Sequence, residues 1–336
     1  MKRILAFESS CDDTSVAIVE EDYSVLCNLV STQHAHSEFG GVLPELASRL
    51  HLQNILYLTE AALKKASLSP QDISALAVSI NPGLIGSLIV GLSFAKSLAW
   101  SWGKPLVTVN HMLAHIFANF LAVPEIQPPF LALVVSGGHT ELVHFHTLTE
   151  FEVVGKTLDD AAGETFDKTA KLLGLGYPGG PAIDRISTQG DPSFAEFPRA
   201  LKRKGDLNFS YSGLKTAVLE YLSRHSPDYI VQHQADLAAS VQQAIIDPLI
   251  KKTLACARQR KIETILLAGG VAANTALRKQ LSDQAAALGA KLYCPPLDLC
   301  VDNAAMVAAA AFPKFRAGDL APLDVNAFST KGTRTL

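Results

Sequence analysis

Phe130-Leu131-Ala132-Leu133-Val134-Val135-Ser136-Gly137-Gly138-His139-Thr140-Glu141-Leu142-Val143-His144-Phe145 reads as strand, glycine turn, strand. The run to Val135 is apolar and β-prone, residues 136–140 are small and polar, and residues 141–145 are β-prone again. Pro128-Pro129 stand just before it as a break. The same arrangement opens the chain: a strand over residues 3–7, the acidic turn Glu8-Ser9-Ser10-Cys11-Asp12-Asp13-Thr14, then a strand over 15–19. A pattern that restarts in mid-chain implies an internal duplication. The length of 336 residues exceeds what one core ordinarily fills, so two domains are expected. Their seam is expected at Gly103-Lys104-Pro105, with one half over residues 1–105 and the other over 106–336.

Duplicated halves that each open with a hairpin tip able to face a phosphate resemble the actin-like ATPase (ASKHA) architecture of sugar kinases and Hsp70. That resemblance implies an α/β fold of two domains around a central cleft. A net charge of −3 provides no overall basic field, so a nucleic-acid partner must meet a local patch or another subunit. No apolar run reaches membrane length. Met1-Lys2-Arg3 and the apolar residues behind it imitate a signal peptide, but Glu8, Asp12 and Asp13 interrupt too early, so a first strand is expected. Five cysteines without a C-x-x-C fit reduced thiols and a cytoplasmic location.

The richest chemistry lies in Val109-Asn110-His111-Met112-Leu113-Ala114-His115. Histidines four apart share one helix face, so both imidazoles can meet one metal ion. A core histidine beside a surface histidine is the plain alternative. The apolar strand over 106–109 places the pair just past a strand end, where α/β proteins usually hold ligands. The third ligand must come from far along the chain, and Asp302 is the candidate, with a helix N-cap as its alternative role.

Other segments are weaker alone. His34-Ala35-His36-Ser37-Glu38-Phe39-Gly40-Gly41 reads as a surface loop, and Pro44–Ala66 as a long amphipathic helix that packs on its own sheet or on a related subunit. Asn81-Pro82-Gly83-Leu84-Ile85-Gly86-Ser87 leads into a helix over 88–102, and such glycine turns either suit anions or merely cap. Gly163-Glu164-Thr165-Phe166-Asp167-Lys168 starts a charged helix, followed by a glycine-rich loop over 174–181 where backbone can approach a ligand. The cluster over 199–204 is the best local candidate for touching RNA phosphates. A strand over 262–268 ends in Gly269-Gly270-Val271-Ala272-Ala273-Asn274, a turn able to seat an adenine or ribose.

Taken in order, the acidic opening turn, the His111/His115 pair, Ser136-Gly137-Gly138-His139-Thr140, Gly163 to Lys168, Tyr177 to Pro181, Phe209 to Thr216 and Gly269 to Asn274 resemble the tRNA N6-adenosine threonylcarbamoyltransferases of TsaD type, formerly called O-sialoglycoprotein endopeptidases. The match spans roughly residues 3–315. It implies transfer of a threonylcarbamoyl group from threonylcarbamoyl-AMP to N6 of the adenosine just 3′ of a tRNA anticodon. It implies one divalent metal per subunit, iron (Fe2+) or zinc (Zn2+), on His111, His115 and Asp302. Adenylate contacts would fall on Val134, Val135, Ser136, Gly137, Gly138, Asp167, Gly180, Asp184 and Asn274. For such a reaction a nearby carboxylate, Asp12 or Asp13 ahead of Glu8, could accept the N6 proton. The implied partners are tRNA, a paralogous inactive actin-like subunit and a small P-loop ATPase. The chain departs from the usual pattern at Asp13, where many members carry Glu, and at Thr165, where Ala is commoner. A metalloprotease would need the glutamate of H-E-x-x-H, and Met112 stands there instead. An actin-like kinase or ATPase is the remaining alternative, and it has no need of the histidine pair.

Overall fold

The computed structural model describes residues 1–39, 41–201, 203 and 205–329. The chain forms two compact units, Met1–Ile126 with Pro295–Leu336, and Gln127–Cys294. The first contains β1 (Arg3–Glu8), β2 (Asp13–Glu20), β3 (Val25–Thr32), α1 (Pro44–Ala66), β4 (Ala75–Asn81), α2 (Ile85–Trp102), β5 (Leu106–Asn110) and α3 (His111–Phe117). The second contains β6 (Phe130–Val135), β7 (Thr140–Phe145), β8 (Phe151–Lys156), α4 (Ala162–Leu172), α5 (Gly179–Ser187), α6 (Ser212–Ser223), α7 (Pro227–Gln232), α8 (Gln234–Arg260), β9 (Thr264–Ala268), α9 (Thr275–Ala287) and β10 (Lys291–Tyr293). The chain then returns to the first unit for α10 (Ala304–Ala317).

The two sheets are copies in topology. One runs β3-β2-β1-β4-β5 and the other β8-β7-β6-β9-β10. In each, the first three strands in sequence form an antiparallel meander, and the two later strands join in parallel. The duplication expected from the two hairpins is therefore present. Strands β1, β4 and β6 are apolar on both faces because helices cover both sides, which is why they read as continuous hydrophobic runs rather than alternations.

The expected seam at residue 105 is corrected. Gly103 is the left-handed cap that ends α2, and Leu106 and Val107 pair in parallel with Leu76 and Ala77 of β4. A parallel neighbour needs a crossover helix before it, so α2, the Gly-Lys-Pro turn and β5 form one βαβ step inside the first unit. The division comes at residues 126/127, and α10 packs back against β1, β2 and α3. The metal candidates His111, His115 and Asp302 consequently sit in the first unit, and not with the adenylate residues in one subdomain over 106–336 as expected.

Two loop readings also shift. His36 is buried, bonding Gln33 Oε1 through Nε2 (2.8 Å) and accepting from Leu43 N (3.3 Å), so it is a structural residue; Gly40 lies outside the described residues. Gly83 is required by packing, since a Cβ there would stand 2.6 Å from the carbonyl oxygen of Ser10. No helix among the described residues is long and apolar enough to cross a membrane.

Candidate active site

The carboxyl end of β5 delivers the histidine pair. Asn110 ends the strand and caps α3, its Oδ1 accepting from Met112 N (2.8 Å) and Leu113 N (3.1 Å). His111 then occupies the first helical position and His115 lies one turn on, with ring centroids 4.7 Å apart. Met112, Ala114, Ile116 and Phe117 are buried around them, so the helix is anchored on several sides.

Asp302 arrives just before α10. Asn303, not Asp302, caps that helix: its Oδ1 accepts from Met306 N (3.0 Å), while Ala304 N donates to Ser15 Oγ (2.8 Å). Asp302 is thereby released from capping and points at the histidines, with Oδ1 3.1 Å from His115 Nε2 and 3.4 Å from His111 Nε2. Two ligands about 2.1 Å from one tetrahedral metal lie about 3.4 Å apart. Two imidazole nitrogens and a carboxylate oxygen form a set that first-row divalent metals accept. Among the described residues His115 Nδ1 is buried without a hydrogen-bond partner, while its Nε2 faces Asp302 Oδ1. The residues fit a divalent metal.

Glu8 stands behind the trio. It is fully buried, its Oε2 3.0 Å from His111 Nδ1 and its Oε1 accepting from Ser10 N (2.6 Å). Burial raises the Glu8 carboxyl, but the adjacent His111 imidazole reverses this and leaves it below its ordinary value. Burial pulls His111 down, yet the Glu8 and Asp302 carboxylates lift it well above the usual imidazole range. The pocket thus favours a positive charge between two carboxylates, and either a proton on His111 or a cation satisfies it. A carboxylate on Nδ1 fixes the tautomer that leaves Nε2 for a metal. Glu8→Gln keeps the shape and removes the charge; metal affinity in a competition titration with a chromophoric chelator is expected to fall about ten- to a hundredfold. An unchanged affinity would remove Glu8 from any supporting role.

The acidic turn has its own environment. Asp13 accepts from Thr32 Oγ1 (2.5 Å), and burial, with Asp302, Asp12 and Glu8 nearby, pushes its carboxyl up to about 6. His51 of α1 is completely buried, donates from Nε2 to Cys11 O (2.9 Å) and accepts at Nδ1 from Thr14 Oγ1 (2.8 Å). Burial lowers its pKa, so a neutral ring pins the turn to the helix.

In the second unit the expected adenylate residues gather at the carboxyl ends of β6 and β9, the ligand side of open α/β sheets. Ser136 N donates to His139 O (2.8 Å), closing the β6–β7 turn, and Ser136 O accepts from Gly163 N of α4 (3.2 Å). Asp167 Oδ1 accepts from Gly179 N (2.7 Å) at the start of α5, and burial raises the Asp167 carboxyl despite this bond. Asp184 accepts from Thr275 N and Oγ1 (both 3.0 Å), tying α5 to α9. Asn274 is a cap: its Oδ1 accepts from Leu277 N (2.8 Å) and its Nδ2 donates to Gln242 Oε1 (2.7 Å), so the amide expected to serve an adenine is largely committed to the fold.

The glycines separate into two groups. A Cβ at Gly163 would lie 2.5 Å from Ser136 O, and one at Gly179 2.6 Å from Asp167 Cα, so the fold itself demands those glycines. At Gly137, Gly138 and Gly180 a Cβ would meet nothing within 4 Å. Packing therefore does not require bare backbone at these three positions.

The family model described as TsaD, tRNA N6-adenosine threonylcarbamoyltransferase, matches residues 24–309. The chain belongs to the TsaD family. Curated relatives called tRNA N6-adenosine threonylcarbamoyltransferase include one from Kosmotoga olearia, 50% identical over 97% of this chain and 97% of that one. Another, from Moorella thermoacetica, is 48% identical over 96% of this chain and 95% of its own. The family is thus one of transferases acting on tRNA. Among solved structures, HypF from T. kodakarensis aligns with a TM-score of 0.64 at 14% identity, covering 94% of this chain and 48% of that one, a likeness of fold that agrees with the actin-like duplication. The sequence alone placed Glu8 in the acidic turn, as a base less favoured than Asp12 or Asp13, without its contact to His111, and gave His51 no role. A charged or imidazole residue in an otherwise apolar stripe was the available signal for both.

Proposed function

We propose that the chain transfers the threonylcarbamoyl group from threonylcarbamoyl-AMP to N6 of the adenosine at position 37 of tRNAs reading codons that begin with A, releasing AMP. The observation that carries this reading is the convergence of His111 Nε2, His115 Nε2 and Asp302 Oδ1, backed by Glu8, in a TsaD-family chain. His111, His115 and Asp302 would hold one divalent metal, Fe2+ or Zn2+, which supplies Lewis-acid polarisation of a carbonyl oxygen and orients the donor. In the second unit, the open amides of Gly137, Gly138 and Gly180 suit the phosphate and ribose, beside Val134, Val135, Ser136, Asp167 and Asp184. Asn274 shapes the turn at its edge and has one amide hydrogen left to offer.

The chemistry asked of the chain is an acyl transfer. N6 attacks the carbamoyl carbon, the carbon–oxygen bond to phosphate breaks, AMP leaves with that oxygen, and the N6 proton goes to a carboxylate. Asp13, with Asp12 beside it, is the base of choice, since a carboxyl near 6 is poised for proton transfer at neutral pH. The base is active when deprotonated, so the transfer rate is expected to be full above pH 7 and to fall as pH drops through about 6. Asp13→Asn should lower the rate by about two to four powers of ten and erase that inflection. An inflection that survives in the variant would assign the base elsewhere. Label transfer from threonine-labelled threonylcarbamoyl-AMP to unmodified tRNA, with partner subunits present, tests the reaction itself; no label where a reference complex works would overturn it.

The partners are a paralogous inactive actin-like subunit and a small P-loop ATPase, in the cytoplasm. Support for a protein partner comes from α1 and α2, which expose Leu52 (69%), Tyr57 (71%), Leu56, Ile85 and Ile89, while Gly86 lies against Ser48. Apolar side chains grouped this way mark an interaction surface. Leu52→Asp should leave stability within about 0.5 kcal/mol and abolish co-purification of the paralogue. Retained co-purification would move the interface off these helices.

A further inference from the structure

The second unit contains a cavity of about 790 Å³ away from the loops of the adenylate residues. Its walls include Arg199–Leu201, Arg203, Gly205–Leu207 and one face of α8, and among the described residues they bring together Arg199, Arg203, Lys251, Lys252 and Arg258 against one lining carboxylate, Asp206. These cations play two parts. Arg199 is fixed by Asp247 (3.0 Å), and Lys252 Nζ donates to the carbonyls of Leu201 (3.1 Å), Asp206 (2.8 Å) and Asn208 (2.6 Å), so both hold the segment against the helix.

Arg203, Lys251 and Arg258 are exposed and make no ion pair among the described residues. Elsewhere Arg49, Arg224 and Lys279 each have a carboxylate one turn away, Glu45, Glu220 and Asp283. A concave surface with uncompensated positive charge, in a chain whose net charge is −3, is matched to a polyanion. Lys251 and Arg258 stand seven residues apart on α8, about 10 Å along its axis, so they reach different phosphates. Lys202 and Lys204 of the cluster singled out in the sequence lie outside the described residues.

We infer that this cavity seats the phosphodiester backbone of the substrate tRNA, with Lys251, Arg258 and Arg203 as its phosphate contacts. The inference rests on the reading of tRNA as substrate. Phosphate contacts position RNA without reading its sequence, so the site sets affinity and register and leaves the choice of adenosine to other contacts.

The test is tRNA binding by the assembled complex, measured by fluorescence anisotropy between 50 and 200 mM salt, for wild type and for Lys251→Ala/Arg258→Ala. The double variant is expected to bind about tenfold more weakly at 100 mM salt, and the slope of log affinity against log salt is expected to fall by about two. Its melting temperature and metal content should match wild type. Lys64→Ala/Lys65→Ala, which removes the same charge from the first unit, should leave the slope unchanged. An unchanged affinity and slope in the α8 variant overturns the inference, as does displacement of tRNA by millimolar ATP from wild type alone, which would mark a mononucleotide pocket. Label transfer by the same wild-type preparation separates the two failures: transfer with an unchanged slope sinks only this cavity, and no transfer sinks the reaction itself.

Discussion

His111→Ala is expected to lower kcat/KM for transfer at least about a thousandfold, because the loss of a polarised carbonyl is worth several kcal/mol. The same change should bring bound metal well below one per chain. His111 is more than one ligand of three. Its Nε2 faces Asp302 and its Nδ1 faces Glu8, so it is the group that keeps two carboxylates in a buried pocket compatible. Alanine leaves Glu8 with Ser10 as its remaining hydrogen-bond partner, and burial should then push the carboxyl up. His115→Ala removes the Nε2 that faces Asp302 but leaves the Glu8–His111 contact, so it should lose metal and transfer while disturbing Glu8 less. Metal analysis by mass spectrometry, with label transfer on the same samples, checks both. Transfer within tenfold of wild type by metal-depleted His111→Ala would contradict the assignment.

Gly269→Ala should have the largest effect on stability, about 4 kcal/mol, as the sum of two costs. The residue sits at φ +88° and ψ 169°, a region that only glycine occupies freely, and forcing alanine there costs about 1–3 kcal/mol. A Cβ would also lie 2.4 Å from Val135 O and 2.8 Å from Val135 C, a collision with a buried strand that costs about the same again. Both atoms belong to the end of β6, so relief would displace the strand that carries the Ser136–Gly138 turn. Thermal melting should drop by about 10 °C. Gly138→Ala is the matched control: with nothing within 4 Å of its Cβ, it should melt within about 0.5 kcal/mol of wild type while raising KM for the adenylate. Equal stability of the two variants would show that β9 and β6 tolerate separation at this point.

Much of this was legible in the residues, and the gaps have physical causes. The strands β1, β4 and β6 are buried on both faces, so their apolar runs announce themselves; α1 was legible from its periodicity and Pro44. β8 is an edge strand with a partly exposed pattern, and β10 has three residues, so neither offers enough periodicity to be seen. α8 was hidden by length and by Pro248 inside it, a residue that normally reads as a helix stop. The seam at residue 105 misled because a helix stop followed by proline looks the same inside a βαβ step as between domains. The metal trio was found because histidine spacing survives in sequence. Asp302 stayed ambiguous until Asn303 proved to be the cap, a distinction of one residue that depends on backbone geometry. The Glu8–His111 contact was not legible, since only the folded register of β1 beside β4 and β5 brings the two together.

The most direct test is nucleoside mass spectrometry of tRNA after incubation of the complex with threonylcarbamoyl-AMP, with AMP quantified in parallel. One threonylcarbamoyladenosine per AMP released, located 3′ of the anticodon and lost in His111→Ala, is the expected result. AMP release without the modified nucleoside, or release of γ-phosphate from ATP with the RNA left unchanged, would contradict the transferase account and return the chain to the actin-like kinases and ATPases.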